Sequence, residues 1–416
     1  MPASPSTARA INDRLALRLL QQEGPLTAGQ LKQLTGLSRP TVADLVERLT
    51  AAGLIEVVGE SGEQRRGPNA RLYGIVADRA HLAALDVRTE GVSVVVSDLL
   101  GRELARASVP IADDIGTGPA VEQAVTLVER AAKEAGAERL HTVGVGAPGL
   151  IDPATGELRD SSGLPEWHRR LVAALQERLP ARVIVENETN LAALAEQRDG
   201  AARDRDTFVL LWLGHGTGAA VVLDGRLRRG ASGGTGEIGF LPVPGTSTLP
   251  SARDCEGGFH SLAGSAAIAE LAAGHGLVAT AVSPGEPAAA ALVRQAMAAL
   301  TSPSPSRSPS PSPSPSSSPS ASSGADRFLS ALADRLAIGA ASVVAVLDPG
   351  CVVLGGEVGQ VGGEVLAARV GERLARMSPL PVEVRASVLG GGAVLRGALL
   401  TARESAQDEL FAPRSR

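Results

Sequence analysis

The chain has 416 residues, of which 44% are hydrophobic and only 2% aromatic, and a formal net charge of −5. This length predicts two or three domains whose cores consist mainly of Ala, Val and Leu. The mild acidity argues against a protein coated with nucleic acid, and neither a signal peptide nor an apolar run of about 18 residues is recognised. Two cysteines, Cys255 and Cys351, fit a reducing cytosol better than a disulfide framework, so a cytoplasmic location without membrane contact is expected.

Residues 27–52 predict two short helices around a tight turn. Leu31 and Leu34 fall on one face of the first helix, and Gly36 supplies the turn. Ser38 is a good N-cap for the second helix, and Pro40 lies in its first turn, where a missing N–H costs little. The second helix then has apolar residues at i, i+3, i+4 and i+7, namely Val42, Leu45, Val46 and Leu49. This is the periodicity of an amphipathic helix.

A helix over residues 11–22 precedes this pair, and two β-rich runs follow it. The runs flank a loop that contains Gly and Arg, which indicates a hairpin with Arg65 and Arg66 near its tip. Three helices and a hairpin predict a winged helix-turn-helix domain over residues 1–78. A small helical subdomain with a solvated hairpin is the alternative.

The exposed face of the second helix and the wing carry polar side chains that can reach base edges and phosphates. The candidate DNA-binding residues are Ser38, Arg39, Thr41, Asp44, Arg48, Arg65 and Arg66. Residues 1–80 hold ten Arg or Lys against eight Asp or Glu, a balance of only +2. Specific contacts rather than a broad basic surface therefore have to recognise the expected partner, double-stranded operator DNA.

The rest of the chain predicts two α/β lobes with a ligand cleft between them. Strands of a meander start near residue 81, a helix spans 119–134, and a second α/β unit starts near 207. The expected lobes are 79–200 and 201–405, followed by a tail over 406–416. Alternating Ser and Pro over 301–323 predict an extended, solvated insertion.

Four Gly-rich turns follow strands in this body: GVGAPG at 144–149, GHGTG at 214–218, GGTGEIG at 233–239 and Gly355–Gly356. Such turns allow backbone N–H groups to approach phosphate or sugar oxygens closely. One turn of this kind is weak evidence, whereas four within two lobes favour a binding cleft.

These blocks, together with LPEWHRRL, VENETNLAALAE and DPGCVVLGG, resemble successive blocks of the ROK family of repressors and sugar kinases. The resemblance covers about residues 80–405, and the winged helix matches the regulator branch of the family. It implies a two-lobed, actin-like body of the sugar-kinase type. The kinase members of the family bind ATP and a hexose in the cleft.

The chain departs from the kinase members where they bind phosphate and activate the sugar. Their Asp-x-Gly-Gly-Thr loop is replaced by Asp86 to Glu90 (DVRTE), which lacks both glycines and adds a carboxylate. The Asp that acts as their base is replaced by Glu188, whose extra methylene displaces the carboxylate by about an ångström. No kinase activity and no cofactor are therefore expected.

The sugar pocket is also altered. Glu237 of the family's Gly-Glu-x-Gly-His block is present, but Phe240 replaces the His. Phe259 takes the place of the final cysteine of the family's zinc cluster, and Ser261 stands where a sugar-binding Glu is expected. One thiol and one His cannot form a four-coordinate zinc site, so no metal is expected. The candidate effector-binding residues are Asn187, Glu188, Glu237 and Ser261, with a helix-capping role as the alternative for Glu188.

The chain is thus predicted to be a ROK-type transcriptional regulator, most simply a repressor that forms a homodimer or homotetramer and responds to a sugar or sugar derivative. One alternative is an ATP-dependent sugar kinase with a DNA-binding head. Another is a regulator that has no sugar ligand and is controlled by a protein partner.

Overall fold

A computed structural model describes residues 5–61, 70–112, 114–159, 165–251, 256–279, 285–301 and 321–412. The N-terminal domain contains α1 (Pro5–Glu23), β1 (Leu26–Thr27), α2 (Ala28–Thr35), α3 (Arg39–Ala51), β2 (Ile55–Ser61) and β3 (Ala70–Ile75). The strands form an antiparallel sheet in the order β1-β3-β2. The predicted winged helix-turn-helix is confirmed, with β1 as an additional strand. Arg65 and Arg66 lie outside the described residues.

Local chemistry explains the helix pair. Gly36 has φ +70°, a left-handed conformation that suits glycine, and ends α2. The Ser38 hydroxyl accepts a hydrogen bond from the backbone N–H of Thr41 at 3.3 Å and caps α3. The four periodic apolar residues of α3 are buried, as predicted. Leu34 is 50% exposed, contrary to prediction. It lies about 60° around the two-turn helix from the buried Leu31, outside the narrow face that α2 presents to the core.

The first lobe contains β4 (His81–Arg88), β5 (Gly91–Asp98), β6 (Glu103–Pro110), α4 (Thr117–Glu134), β7 (Leu140–Ala147), α5 (Glu166–Arg178), β8 (Arg182–Asn187) and α6 (Glu188–Asp199). Its sheet has the order β6-β5-β4-β7-β8, with β4, β7 and β8 parallel and the meander antiparallel. Since β4 is central and β8 follows two strands away, the loops after both strands reach the same edge of the sheet.

The second lobe contains β9 (Phe208–Leu213), β10 (Thr217–Leu223), β11 (Arg226–Arg228), α7 (His260–Ala263), α8 (Ser265–Gly274), α9 (Ala288–Thr301), α10 (Ala321–Leu347), β12 (Cys351–Gly355), α11 (Gly356–Met377) and β13 (Glu383–Ala386). A final helix, α12 (Ala393–Leu410), completes the chain. The sheet order is β11-β10-β9-β12-β13. Two five-stranded sheets with helices confirm the expected two-lobed, actin-like body.

The boundaries at the C-terminus differ from the sequence-based ones. Helix α12 packs against β4, β7 and α6 of the first lobe and continues to Leu410, past the expected start of a tail at 406. It extends because apolar residues keep their helical spacing through Ala402 and Ala406, and Phe411 is buried beyond it. Helix α10 starts at Ala321, so the last three residues of the expected Ser/Pro insertion are helical; residues 302–320 lie outside the described ranges.

Helix α10 contains no uninterrupted apolar run of about 18 residues, as expected, since Asp334 and Arg335 interrupt it. The segment Ser323–Leu347 is long and apolar enough to cross a membrane by length and composition. Half of its most apolar stretch is buried inside the fold, however, and Phe328, Leu332 and Leu336 lie in the core of the second lobe. The helix therefore serves as a core helix of this lobe, between α9 and α11.

The winged helix shares a continuous apolar core with the body. Buried residues of α1 and α3 join one cluster with residues of β4, β9 and α12, including Leu17, Leu82 and Phe411. An ion pair between Arg14 of α1 and Asp408 of α12 lies at the surface of this junction. The end of α12 thus holds the first helix of the DNA-binding domain.

Candidate functional site

The candidate DNA-binding residues differ in their surroundings. Arg39 is exposed at the first position of α3 and makes no ion pair with any described residue. The hydroxyl of Ser38 lies 2.8 Å from that of Thr41, beside it. Arg48 instead bonds to Asp13 of α1 at 2.6 Å and pairs with Asp44. Arg48 thus joins α3 to α1 through Asp13 and pairs with Asp44 within α3, whereas Arg39 at the N-terminal end of α3 makes no ion pair with a described residue.

Replacing Ser38 by alanine is expected to lower the free energy of unfolding by about 1 kcal/mol, because the cap of α3 is lost. Ser38→Asp keeps an oxygen acceptor for the cap and is expected to retain stability while weakening DNA binding by charge repulsion. Chemical denaturation and an operator-binding assay of both variants check this. Equal stability of Ser38→Ala and the parent would contradict the capping role.

The interlobe cleft has a buried ion-pair chain at the end of β4. Asp86 is 4% exposed, and its Oδ2 accepts from Nε of Arg88 at 3.1 Å. Nη1 of Arg88 donates across the cleft to Oε1 of Glu357, at 2.6 Å, in the first turn of α11. Burial raises the pKa of Asp86, with Arg88 acting in the opposite direction. Burial also opposes the charge of Arg88, but Asp86 and Glu357 raise its pKa above the ordinary value.

The turn after β4 makes a second contact between the lobes. Glu90 Oε1 lies 3.8 Å from Nε2 of His215, which projects from the turn between β9 and β10. Behind this turn, His168 of α5 is fully buried and its Nε2 donates to the backbone carbonyl of Arg88 at 3.3 Å. Burial lowers the pKa of His168 to about 4, so this ring is neutral at physiological pH. It holds the backbone of the turn without adding charge to the cleft.

Glu188 and Asn187 have different tasks at the start of α6. The Asn187 side chain accepts from the N–H groups of Thr189 and Asn190 and donates to the Gly149 carbonyl at 3.0 Å. Asn187 is thus the helix cap, and the capping alternative for Glu188 is wrong. Burial raises the pKa of Glu188 to about 8, with the charge of Asp86 as the next cause. The two carboxyls at the ends of β4 and β8 are therefore electrostatic neighbours.

The opposite wall contains the remaining candidate residues. Gly233, with φ +83°, lies directly on the Ile151 carbonyl, where a Cβ atom would be 2.0 Å from the oxygen. This close approach docks the segment carrying Glu237 onto the first lobe. Glu237 is exposed as a residue, yet desolvation of its carboxyl by the surrounding protein raises the pKa of that group. Ser261 is exposed, and its hydroxyl accepts from the N–H of Gly257 at 3.0 Å, so it organises its own loop.

Phe259 and His260 occupy the region of the family's zinc cluster. Phe259 is fully buried against Gly339 of α10, where an added Cβ would lie 2.4 Å from the ring. His260 lies beside Gly216 and Gly239, and burial lowers its pKa. Cys255 lies outside the described residues. An aromatic side chain thus packs where the family has its last zinc-ligand cysteine, and this supports the prediction that no zinc is bound.

Polar atoms without partners are concentrated at the cleft. In the described parts of the chain, seven buried side-chain atoms lack a hydrogen-bond partner. Three of them belong to residues at the cleft, Asp86 Oδ1, Glu90 Oε1 and Thr217 Oγ1, and a fourth, His168 Nδ1, lies behind the turn after β4. Buried polar atoms in folded proteins are nearly always paired with protein or water. The cleft therefore offers unsatisfied donors and acceptors to a polar ligand.

Sequence reasoning missed several residues of this site. Glu357 has no motif of its own and meets Arg88 only through the fold. His168 and His260 show no metal-ligand spacing, and only their position within the LPEWHRRL and RDCEGGFHSLAG blocks marks them. Arg88 and Glu90, in contrast, were marked by sequence, because they lie where the chain departs from the phosphate loop of the kinase members.

Comparison with known proteins identifies both parts of the chain. The ROK family model matches residues 83–405, and a MarR family model matches residues 11–67. The DNA-binding transcriptional dual regulator NagC of Escherichia coli K12 is 27% identical over 243 residues, which cover 56% of this chain and 58% of NagC. The aligned part thus spans less than two thirds of that relative.

Two solved structures are similar. A ROK family transcriptional regulator described as a homologue of the E. coli MLC protein has a TM-score of 0.71 at 20% identity, over 97% of this chain and 98% of its own. A ROK hexokinase from Thermus thermophilus has a TM-score of 0.59 at 29% identity, over 79% and 99% respectively. Since the family model matches well over half of the residues and both lobes are present, the chain belongs to the ROK family.

Proposed function

We propose that this chain is a DNA-binding transcriptional regulator, acting as a repressor, whose operator affinity changes when a sugar or sugar derivative occupies the interlobe cleft. The winged helix, the MarR family match and the likeness to NagC support the DNA-binding part. The unpaired polar atoms at the cleft support a polar ligand.

The Arg88–Glu357 ion pair is the observation that carries the proposal of a regulator without kinase activity. A kinase of this fold needs small residues and free N–H groups around the ATP phosphates. Here a guanidinium bridges the lobes at that place, and two carboxylates, Glu90 and Glu357, flank it. Their negative charge repels phosphate, and the bridge opposes the approach of a nucleotide.

Coupling between the cleft and the DNA-binding domain has a packed route. Glu188 opens α6, and α6 packs against α12 so closely that a Cβ on Gly397 would lie 2.0 Å from the Leu191 carbonyl. Helix α12 in turn reaches α1 through Asp408 and Phe411. A ligand that shifts α6 is therefore positioned to shift α12 and the winged helix, provided that it binds the two arrangements with different affinity.

The proposal is tested with the purified full-length protein. Operator sites are selected from random DNA, and phosphoryl transfer from ATP to glucose, N-acetylglucosamine and mannose is measured in parallel. We expect one dominant inverted repeat, since a symmetric homodimer imposes its symmetry on the operator, and no turnover above background. A cytoplasmic location and a homodimer or homotetramer are part of the same proposal.

A sugar kinase with a DNA-binding head is the second candidate. The raised pKa of Glu188, about 8, favours it, because a catalytic base works best with a pKa near the operating pH. The 29% identity to the Thermus hexokinase favours it too. Turnover that Glu188→Gln abolishes would establish this function. Control by a protein partner is the third candidate, and it is favoured if no sugar changes the thermal stability of the protein.

Replacing Arg39 by alanine is expected to weaken operator binding by about 10- to 100-fold, because an unpaired guanidinium at the start of α3 is lost from the DNA surface. Thermal stability should remain that of the parent. Arg130→Ala, on the exposed face of α4, is the matched control and should bind DNA normally. Full affinity of the Arg39 variant would remove α3 from the proposed interface.

A further inference from the structure

The interlobe cleft contains more carboxyl groups than cationic side chains at the end of β4. Four carboxyl groups lie near enough there to affect one another electrostatically, although not grouped as metal ligands: Asp86, Glu90, Glu188 and Glu357. Among the described residues, Arg88 is the permanently charged cation paired with Asp86 and Glu357, and Nε2 of His215 lies 3.8 Å from Glu90. Each of the other three carboxylates influences Glu188 electrostatically in the direction that resists its ionisation. The excess of carboxylates over cations makes this part of the cleft unfavourable for any anionic ligand.

Two side chains in this cluster, the buried Asp86 and the partly buried Glu90, each have a carboxylate oxygen without a hydrogen-bond partner. Asp86 uses Oδ2 for Arg88 and leaves Oδ1 without a partner, although 96% of the residue is shielded from solvent. Glu90, whose side chain is 30% exposed, accepts from Thr89 through Oε2, and its Oε1 has no hydrogen-bond donor, with Nε2 of His215 at 3.8 Å. A buried carboxylate oxygen without a donor is costly, since it loses its hydration without replacement. The missing partner is therefore a donor, and a charged donor suits it best.

An ammonium group fits these acceptors better than a metal ion or a phosphorylated compound. An ammonium group carries three N–H donors and no acceptor, so acceptors such as carboxylate oxygens are sufficient to satisfy it. A metal ion requires three or more grouped ligands, and no such group of His, Cys, Asp or Glu occurs among residues 5–61, 70–112, 114–159, 165–251, 256–279, 285–301 and 321–412. A phosphate would face Glu90 and Glu357 directly.

We infer that the effector of this protein is an amino sugar with a free, protonated amine and no phosphate, whose ammonium group is bound by Asp86 and Glu90. This inference rests on the proposed effector function of the cleft. The ring hydroxyls meet the other unsatisfied groups of the cleft, of which Thr217 Oγ1 is one. N-acetylation removes both the charge and two of the three donors, and so it removes the basis of recognition.

The test compares matched sugars on the full-length protein by isothermal titration calorimetry. Glucosamine, galactosamine and mannosamine are each compared with the parent hexose and with the N-acetylated form; glucosamine 6-phosphate and Mg²⁺ alone complete the set. We expect at least one free amine to bind ~10-fold or more tightly than both of its counterparts, as a charge-assisted contact requires. Asp86→Asn should reduce this preference to within ~2-fold, and Glu90→Gln should reduce it in part. Glu166→Gln, on the exposed surface of α5, is the control and should preserve it.

Each other outcome overturns the inference in a different way. Equal or tighter binding of a hexose or an N-acetylated sugar contradicts the ammonium site but retains a sugar effector. Tighter binding of glucosamine 6-phosphate shows that the carboxylates do not exclude phosphate. If Mg²⁺ alone binds and Asp86→Asn abolishes this binding, the carboxylates hold a metal ion and not an amine. Binding of no sugar at all contradicts both this inference and the proposed effector function. The DNA-binding part of the proposed function is tested separately, by operator binding. Glu90→Gln keeps the test decisive if the Asp86 variant does not fold.

Discussion

Replacing Arg88 by alanine is expected to lower the free energy of unfolding by about 2–4 kcal/mol, because it leaves the carboxylates of Asp86 and Glu357 without their cation. Asp86 has little exposed surface and cannot recover its hydration. The loss is expected to be below the largest values for fully buried pairs, since the Arg88 side chain is 26% exposed and partly screened. Chemical denaturation of the parent and the variant measures it.

A double-mutant cycle separates the ion pair from other effects of the Arg88 change. Arg88→Ala combined with Glu357→Gln removes both charges, and the double variant should be more stable than Arg88→Ala alone. Arg106→Ala is the control, because Arg106 pairs with Glu103 on the exposed edge strand β6 and such pairs contribute under about 1 kcal/mol. A loss of that same small size for Arg88→Ala would show that water screens the cleft pair and that the lobes are not held by it.

The N-terminal domain could be predicted in detail because its determinants are local. The cap at Ser38, the left-handed turn at Gly36 and the apolar spacing of α3 each depend on neighbours a few residues away. Leu34 was the exception, since its exposure depends on how α2 is oriented against α1 and α3. The pairing of Arg48 with Asp13 likewise depends on the packing of two helices.

The cleft could be predicted only in outline. Motif order located the Gly-rich turns and the changes at Asp86 to Glu90 and at Glu188. The partner of Arg88, however, is Glu357, which is 269 residues away and follows a strand of the other lobe. The packing of helix α12 against the first lobe could not be predicted either, because no local sequence pattern indicates which sheet a helix covers. Long-range electrostatics and packing therefore determine what the motifs alone leave open.

The pH dependence of stability is expected to change when Glu188 is replaced by glutamine. The pKa of Glu188 is raised from 4.5 to about 8 by burial and by the nearby charge of Asp86. A carboxyl with a folded-state pKa above its unfolded value stabilises the fold while it stays protonated. That contribution is complete below about pH 4.5 and is lost as the pH rises through 8. The parent should thus lose on the order of 3 kcal/mol across this window, a value reduced for the partly exposed carboxyl.

Glutamine cannot ionise, so the Glu188→Gln variant is expected to show a smaller fall in stability between pH 5 and 8 and to be more stable than the parent above about pH 8. Denaturation in urea at a series of pH values measures both curves. Glu166→Gln makes the same chemical change at an exposed ion pair with Arg170 and should give a curve parallel to that of the parent. Parallel curves for Glu188→Gln would mean that its carboxyl is well solvated. A reduced slope would instead show that Glu188 is largely protonated at neutral pH and adds no negative charge to the cleft there.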